Sequence, residues 1–303
     1  MTEDFRTLGR ELSNWGRWGD DDRIGTLNLI TPERVAAAAA LARTGRVFDL
    51  GLTLGASGPQ VGSGGRGNPV HLMSVTGDNR LPDGGGYTDD FVFMPLQCAT
   101  QWDGLAHVFY DDLCYNAVPA STVTGRGSAE LSIDQLARGI VGRGVLLDVA
   151  RLRGVDHLPA DASIGVDDLE AAADRQGVDV GPGDIVLVRT GWMRVFRERS
   201  AAEYMGAQPG LTVECSRWLR DRDVAALACD NWGVERYPSG QDAVLPLHYV
   251  CIRDMGMTLG EMFDLEALAD DCAADGVWEL FLCAPVLKFA NAVGTPLNPL
   301  AIK

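Results

Sequence analysis

The second half of the chain alternates short apolar segments with helical ones, and this alternation constrains the fold more than any other feature. The apolar segments are residues 144–149 (GVLLDV), 185–190 (IVLVRT), 224–230 (VAALACD) and 279–286 (ELFLCAPV). The helical segments between them are residues 163–177, 214–222 and 265–275. Such alternation is typical of an α/β or mixed α+β domain. Because no linker or internal repeat interrupts it, residues 1–303 are predicted to form one domain.

The charge and the cysteine content indicate which kinds of partner the protein binds and which compartment it occupies. The chain carries 42 acidic and 26 basic residues, a formal net charge of −16, which repels phosphate backbones and anionic membranes. No stretch reaches the roughly 18 to 20 apolar residues of a membrane span, and the N-terminal residues lack the apolar region of a secretion signal. Seven cysteines without CxxC spacing indicate a reducing compartment. We therefore expect a cytoplasmic protein that binds neither nucleic acid nor membrane.

The first half of the chain is less regular. Its predicted elements are a helix from Thr31 to Gly45, a strand at 47–54, a long loop at 55–90, a strand at 91–100 and a helix beginning near Ser132. A long loop of this kind often covers a site. Within it, residues 62–67 match a dinucleotide-binding glycine pattern, but Asn-Pro follows where that pattern needs a helix. A turn-rich loop is the better interpretation.

Histidine chemistry can draw on four residues, because the chain has four histidines. His107 follows Asp103 by four positions, so in a helical turn both side chains would lie on one face and share a metal. His248 and Glu261 flank an apolar stretch that suits a short helix and turn, and such pairs ligate metals or transfer protons. Each pair alone also fits a structural hydrogen bond or a buried core histidine, so both interpretations stay open. His157 is interpreted as a solvated loop residue.

Four further segments occur in a characteristic order. They are residues 18–28 (WGDDDRIGTLN), 183–192 (GDIVLVRTGW), 284–288 (APVLK) and 294–296 (GTP). In this order the chain resembles, over nearly its whole length, the cyclase family, which includes kynurenine formamidase and isatin hydrolase. The resemblance implies a single-domain α/β fold of the swivelling β/β/α type, with a mixed sheet and surrounding helices. It also implies a homodimer or homotetramer.

The central motif of that family, H-x-G-T-H-x-D-x-P-x-H, falls on residues 97–107. Its functional positions become Gln97, Gln101, Asp103 and His107. Both leading histidines are therefore glutamines here, and Ala99 and Leu105 replace the glycine and the proline. A glutamine carbonyl binds borderline metals such as zinc far less well than an imidazole does. Because both leading histidines are glutamines, the first metal position that the resemblance implies is expected to bind a metal ion less well.

The residues that match imply one metal ion instead of two. The predicted metal-binding residues are Asp103, His107, His248 and Glu261, with Gln101 as a weak ligand or as a donor to substrate. Two carboxylates and two imidazoles suffice for one divalent ion, manganese or zinc, with water completing the coordination. Such an ion activates water and polarises a carbonyl, while His107, His248 and Glu261 act as catalytic acid or base groups. The resemblance thus implies hydrolysis of a small aryl formamide, cyclic amide or lactone.

Four residues are predicted to contact the small-molecule substrate: Gln97, Trp102, His71 and Asn231. Trp102 suits an apolar wall, although core packing explains such an aromatic residue equally well. His71 lies in the predicted loop and would reach into the site from there. Asn231 follows a predicted strand, where α/β proteins place the residues that line their sites.

Two other classes of function remain. A cysteine hydrolase would use Cys98 or Cys229 with His107 or His248 as base, but neither cysteine follows a recognisable nucleophile motif. Alternatively, the scaffold serves a small-molecule binding protein or a metal-independent cyclase, because a fold alone does not fix a function. Metal analysis of the purified protein separates these cases.

Overall fold

The computed structural model describes residues 4–303, which fold around a nine-stranded mixed sheet. The helices are α1 Phe5–Leu12, α2 Pro32–Ala39, α3 Val149–Leu152, α4 Val166–Gln176, α5 Met193–Glu198, α6 Ala201–Tyr204, α7 Cys215–Asp221, α8 Pro246–His248 and α9 Glu266–Asp275. The strands are β1 Val47–Asp49, β2 Val70–Val75, β3 Asp89–Phe93, β4 Gln101–Asp103, β5 Val123–Thr124, β6 Gly127–Ser128, β7 Val141–Asp148, β8 Ser163–Ile164, β9 Ile185–Arg189, β10 Gly210–Leu211, β11 Ala226–Cys229, β12 Thr258–Glu261, β13 Glu279–Cys283, β14 Gly294–Pro296 and β15 Leu300–Ile302. Short 3₁₀ helices occur at Gly25–Leu29, Ser63–Gly65, Tyr115–Ala117, Ala120–Thr122 and Ile133–Arg138, and a π-helix at Tyr249–Asp254.

Four parallel strands, in the order β7, β9, β11 and β12, form the centre of the large sheet. Antiparallel strands extend it on both sides, with β13, β15 and β1 beyond β7, and β4 and β14 beyond β12. The carboxyl ends of the parallel strands meet at one edge, which is where α/β proteins place their sites. Glu261 ends β12 at this edge, and Asn231 lies two residues beyond β11.

Both faces of the central strands are buried. Leu147 and Val188 belong to the apolar cluster on one face, and Leu146 and Leu187 to the cluster on the other. Parallel strands covered on both faces appear in sequence as continuous apolar runs instead of alternating ones. This burial explains why β7, β9 and β11 were predicted from the sequence, and the single-domain α/β prediction is confirmed. Strand β13, whose residues alternate between buried and partly exposed, was also predicted.

Four predictions for the first half of the chain are wrong in detail. The helix predicted from Thr31 to Gly45 ends at Ala39. Residues 55–90 are not all loop, because β2 pairs with β3 in an exposed hairpin. The predicted strand at 91–100 ends at Phe93, and the one at 47–54 ends at Asp49. These strands lie at the edge of the large sheet or outside it, so burial does not set their limits in the sequence as it does for the central strands. Within residues 4–303, every helix is too short or too polar to cross a membrane.

Candidate metal centre

The pairing of β4 with β12 builds the centre of the site. Gln101 lies opposite Glu261 in this antiparallel pair. Because side chains alternate across a strand, Gln101 and Asp103 share one face of the sheet and Trp102 points to the other. Gln101 and Asp103 are completely buried and Glu261 nearly so. The sheet therefore brings two carboxylates together away from water, which is costly unless partners compensate.

The Gln101 side chain supplies part of that compensation. Its Nε2 donates hydrogen bonds to Glu261 Oε2 at 2.7 Å and to Asp103 Oδ1 at 3.1 Å. One oxygen of each carboxylate is thereby satisfied, which leaves Asp103 Oδ2 and Glu261 Oε1 for other partners. Within residues 4–303, the Gln101 Oε1 atom has no hydrogen-bond partner.

His248 completes the cluster from α8, where Pro246 occupies the first helical position. Its Nε2 lies 3.2 Å from Glu261 Oε1 and 3.7 Å from Asp103 Oδ2. Its Nδ1 lies 2.6 Å from Glu235 Oε1. The two oxygens that Gln101 does not contact, Asp103 Oδ2 and Glu261 Oε1, thus face one ring nitrogen of the same histidine, and Glu261 Oε1 lies within hydrogen-bond distance of it.

The enclosed charges shift the pKa values of these groups strongly. Burial raises the pKa of Glu261 to about 7, and the Asp103 carboxylate adds to the effect while His248 opposes it. Burial alone would lower the pKa of His248, but hydrogen bonds to Glu235 and Glu261 raise it to about 10. Buried groups whose pKa values are displaced in this way are typical of functional sites.

His107 reaches the cluster, although not in the way the spacing suggested. Asp103 ends strand β4 and His107 follows in a turn, in which its backbone N–H donates to the Gly104 carbonyl at 2.9 Å. The predicted shared helical turn is therefore wrong. The His107 Nε2 still lies 3.6 Å from Asp103 Oδ1, with 17% of the side chain exposed. Burial lowers the pKa of His107, so this imidazole favours the neutral form that accepts protons.

The residues present fit one divalent cation. One ligand atom each from Asp103, His248 and Glu261 lies within 4.8 Å of the others, and all three residues are buried. In the described part of the chain, Asp103 Oδ2 is buried without a hydrogen-bond partner, as expected of an atom that binds an ion. One imidazole and two carboxylates suit zinc or manganese.

Trp102, predicted to contact substrate, lies on the opposite face of β4. Its indole packs edge-on against Phe263, with ring centroids 5.1 Å apart, and its Nε1 donates to the Ala284 carbonyl at 2.9 Å. Its position is that of a core residue which fixes the strand carrying Asp103.

The other three predicted substrate contacts are spread around the site. His71 stands on the exposed hairpin and pairs with Asp90 at 2.7 Å, outside the buried cluster. Gln97 is half-buried and lies so close to Gly294 that a Cβ there would meet its amide at 2.5 Å. Asn231 is buried, and its amide donates to the Pro209 carbonyl at 2.6 Å. Gln97 thus lies beside Gly294, the residue that pairs with Asp103, whereas His71 stands on the exposed hairpin, and contact of these three residues with a substrate stays a prediction.

Two residues near the cluster were missed by the sequence interpretation. Glu235 contacts His248. It lies 13 residues before His248, and Glu261 lies 13 residues after it, and this equal spacing is the sequence signal that could have identified Glu235. Arg66 lies in the glycine-rich segment, and its positive charge lowers the pKa of Glu261, a minor effect beside burial. The predicted loop at 55–90, which contains this segment, contacts the predicted motif, because the Gln60 side-chain amide donates to the Cys98 carbonyl at 3.0 Å. The loop expected over a site thus lies against the predicted motif.

The two candidate cysteine nucleophiles are both buried. Burial raises the pKa of Cys98, and it raises the pKa of Cys229 well above its usual value. A thiol acts as a nucleophile through its thiolate, which such surroundings disfavour. This arrangement argues against a cysteine hydrolase.

A carboxylate–imidazole cluster at the carboxyl edge of a mixed sheet defines a class of α/β proteins equipped for acid–base or metal chemistry. The model of the family described as "Putative cyclase" matches residues 29–236, so the chain belongs to the cyclase family. No curated protein sequence matches it.

Solved structures agree with this membership. A structure described as a novel cyclase is 38% identical, with a TM-score of 0.91 over 97% of this chain and 99% of the other. Isatin hydrolase A from Ralstonia solanacearum is 25% identical, with a TM-score of 0.66 over 88% and 95%. A predicted metal-dependent hydrolase from Bacillus stearothermophilus shares the fold at 19% identity, with a TM-score of 0.55 over 84% and 97%. The chain thus has a cyclase-family fold that hydrolases also adopt.

Proposed function

We propose that this protein is a metal-dependent hydrolase that cleaves the C–N bond of a small formamide or cyclic amide, or the ester bond of a lactone. The observation that carries the proposal is the buried convergence of Asp103, His248 and Glu261, whose ligand atoms lie within 4.8 Å of one another. The similarity to an isatin hydrolase supports a cyclic amide as the type of substrate.

In this proposal Asp103, His248 and Glu261 hold one manganese or zinc ion. When bound, the ion supplies Lewis-acid activation of water and of the scissile carbonyl. The Gln101 amide already satisfies one oxygen of each carboxylate, at 2.7 and 3.1 Å, which supports a single ion and makes Gln101 a donor instead of a ligand. A second cation would have to displace this amide.

His107 is the residue we assign to proton transfer. It borders Asp103 and retains some exposure, and its Nδ1 has no hydrogen-bond partner among residues 4–303. In this role His107 accepts a proton from the attacking water and returns one to the departing nitrogen or oxygen. General acid–base catalysis of this kind typically contributes about 10²- to 10⁴-fold in rate.

The alternative is a metal-independent cyclase or a small-molecule binding protein on the same scaffold. The observation that favours it is the Gln101 amide, which donates to one oxygen of each carboxylate and so offsets part of the cost of burying both. The imidazole of His248 faces the other oxygen of each carboxylate.

A hydrolysis screen over formanilides, isatin-like lactams and lactones tests the proposal. We expect activity that a chelator abolishes and that manganese or zinc restores. We expect His107→Asn to lower kcat at least about 100-fold while metal content is unchanged, because His107 is not among the three ligands. Activity that survives exhaustive chelation would instead support the metal-independent alternative.

A further inference from the structure

Glu235 contacts the side of His248 that faces away from the metal centre. Its carboxylate is 2% exposed, and its Oε1 lies 2.6 Å from His248 Nδ1. The other ring nitrogen, Nε2, faces Asp103 and Glu261. One imidazole thus connects an outer carboxylate to the candidate metal centre.

The same carboxylate also fixes the backbone that carries His248. Glu235 Oε2 accepts the N–H of Leu247 at 3.1 Å, and Oε1 accepts the N–H of His248 at 2.9 Å. Three hydrogen bonds therefore hold the ring and its backbone relative to a single buried group. A carboxylate in this position keeps a proton on Nδ1, so Nε2 is the nitrogen that can bind an ion once it has lost its own proton.

The backbone around Glu235 is strained in a way that also indicates a positioning role. Val234 has a φ of +56°, a left-handed conformation that is unusual for a β-branched residue. Met262, directly after Glu261, is likewise left-handed at +58°.

Asn231 connects these two strained turns. Its side-chain amide donates to the Val234 carbonyl at 3.2 Å, and its backbone carbonyl accepts the Met262 N–H at 2.8 Å. One residue thereby holds the turns that present Glu235 and Glu261 to opposite sides of His248.

We infer that Glu235 is a positioning residue, which fixes the orientation and tautomer of His248 so that Nε2 points at the metal centre. The inference rests on the proposed function. It predicts that Glu235→Gln, which keeps the size of the side chain but replaces one of its two acceptor oxygens with an amide NH₂ donor, lowers zinc affinity by about 10- to 100-fold. It also predicts a lower kcat with little change in KM.

The test combines calorimetric zinc titration with nuclear magnetic resonance of the histidine rings. The wild type should show a strongly downfield Nδ1–H resonance for His248, with or without zinc, and Glu235→Gln should lose it. Asp184→Asn is the matched control, because Asp184 is also a buried carboxylate but pairs with Arg143 at the other end of β9. The control should lose stability and keep both the resonance and the zinc affinity.

An absent downfield resonance in the wild type, or unchanged zinc affinity in a folded Glu235→Gln protein, overturns the inference. If the wild type binds no zinc at all, the proposed function fails, and the resonance alone decides whether Glu235 positions His248.

Discussion

Gln101 shows how one side chain alters the chemistry of a buried site. Its N–H groups lie between two carboxylates, where a cation or a protonated group would otherwise be needed. The sequence could reveal that a glutamine stood at this position, and its chemistry argued against a first metal site. It could not reveal that the amide would face Asp103 and Glu261 through its nitrogen, since that depends on the pairing of β4 with β12.

Replacing Gln101 with glutamate tests this account. Three buried carboxylates would then meet with one imidazole, so the metal-free protein should lose about 3 kcal/mol of unfolding free energy, the scale of an uncompensated buried charge. Added zinc or manganese should restore more stability to this variant than to the wild type. Urea denaturation with and without metal measures both effects, and Gln135→Glu at an exposed position is the control. Equal stability of the two metal-free proteins would argue against the bridging role.

For the secondary-structure elements, burial was the main factor that decided whether the sequence predicted them. Strands β7, β9 and β11 were found because both of their faces are covered, which imposes apolar runs. Strand β12 is equally buried but was interpreted as part of a short helix and turn, because its four residues include a threonine, a glycine and a glutamate. Strand β4 was missed because it has three residues, two of them polar and directed into the site. Strand β2 was taken for loop because it is exposed and the chain after it is rich in glycine, whereas β3 coincides in part with the strand predicted at 91–100.

Trp102 offers a test of how β4 is held. Trp102→Phe removes the hydrogen bond to the Ala284 carbonyl and part of the packing on Phe263. We expect a loss of about 1–3 kcal/mol in unfolding free energy, because the carbonyl is left without that donor and a smaller ring fills the space. Discrimination among substrates should not change, because the indole faces away from the site. Altered substrate preference at unchanged stability would instead indicate that Trp102 contacts the substrate, as predicted from the sequence.

At the scale of the whole molecule, the site depends on contacts between segments far apart in the chain. Asp103 and His248 are 145 positions apart, yet the sheet and α8 bring them to 3.7 Å. Family resemblance allowed the sequence to associate these segments. Local patterns could not, because helix and strand periodicity carry no information about which distant segments meet.

The N-terminal segment is joined to the body by a bidentate ion pair between Arg17 and Asp223, at 2.7 and 2.8 Å. The hydrogen bond from Arg17 lowers the pKa of Asp223 below its model-compound value of 3.8. A carboxyl group with a lowered pKa in the folded state adds stability above that value and loses it as pH falls through the lower folded pKa.

Arg17→Ala should therefore cost about 1 kcal/mol of unfolding free energy at pH 7 and less at pH 3. Urea midpoints of the two proteins at both pH values measure the difference. Arg10→Ala, a change to an exposed arginine on α1, is the control. A cost that is unchanged or larger at pH 3 would contradict the assigned direction.

The central claim is that Asp103, His248 and Glu261 hold one divalent ion, and metal stoichiometry tests it most directly. Chelator-treated protein is loaded with zinc or manganese, separated from free metal and analysed for its elements beside Asp103→Asn and His248→Ala. The account predicts one ion per chain in the wild type and almost none in either variant. Two ions per chain in the wild type, no ion at all, or full retention in both variants would contradict it.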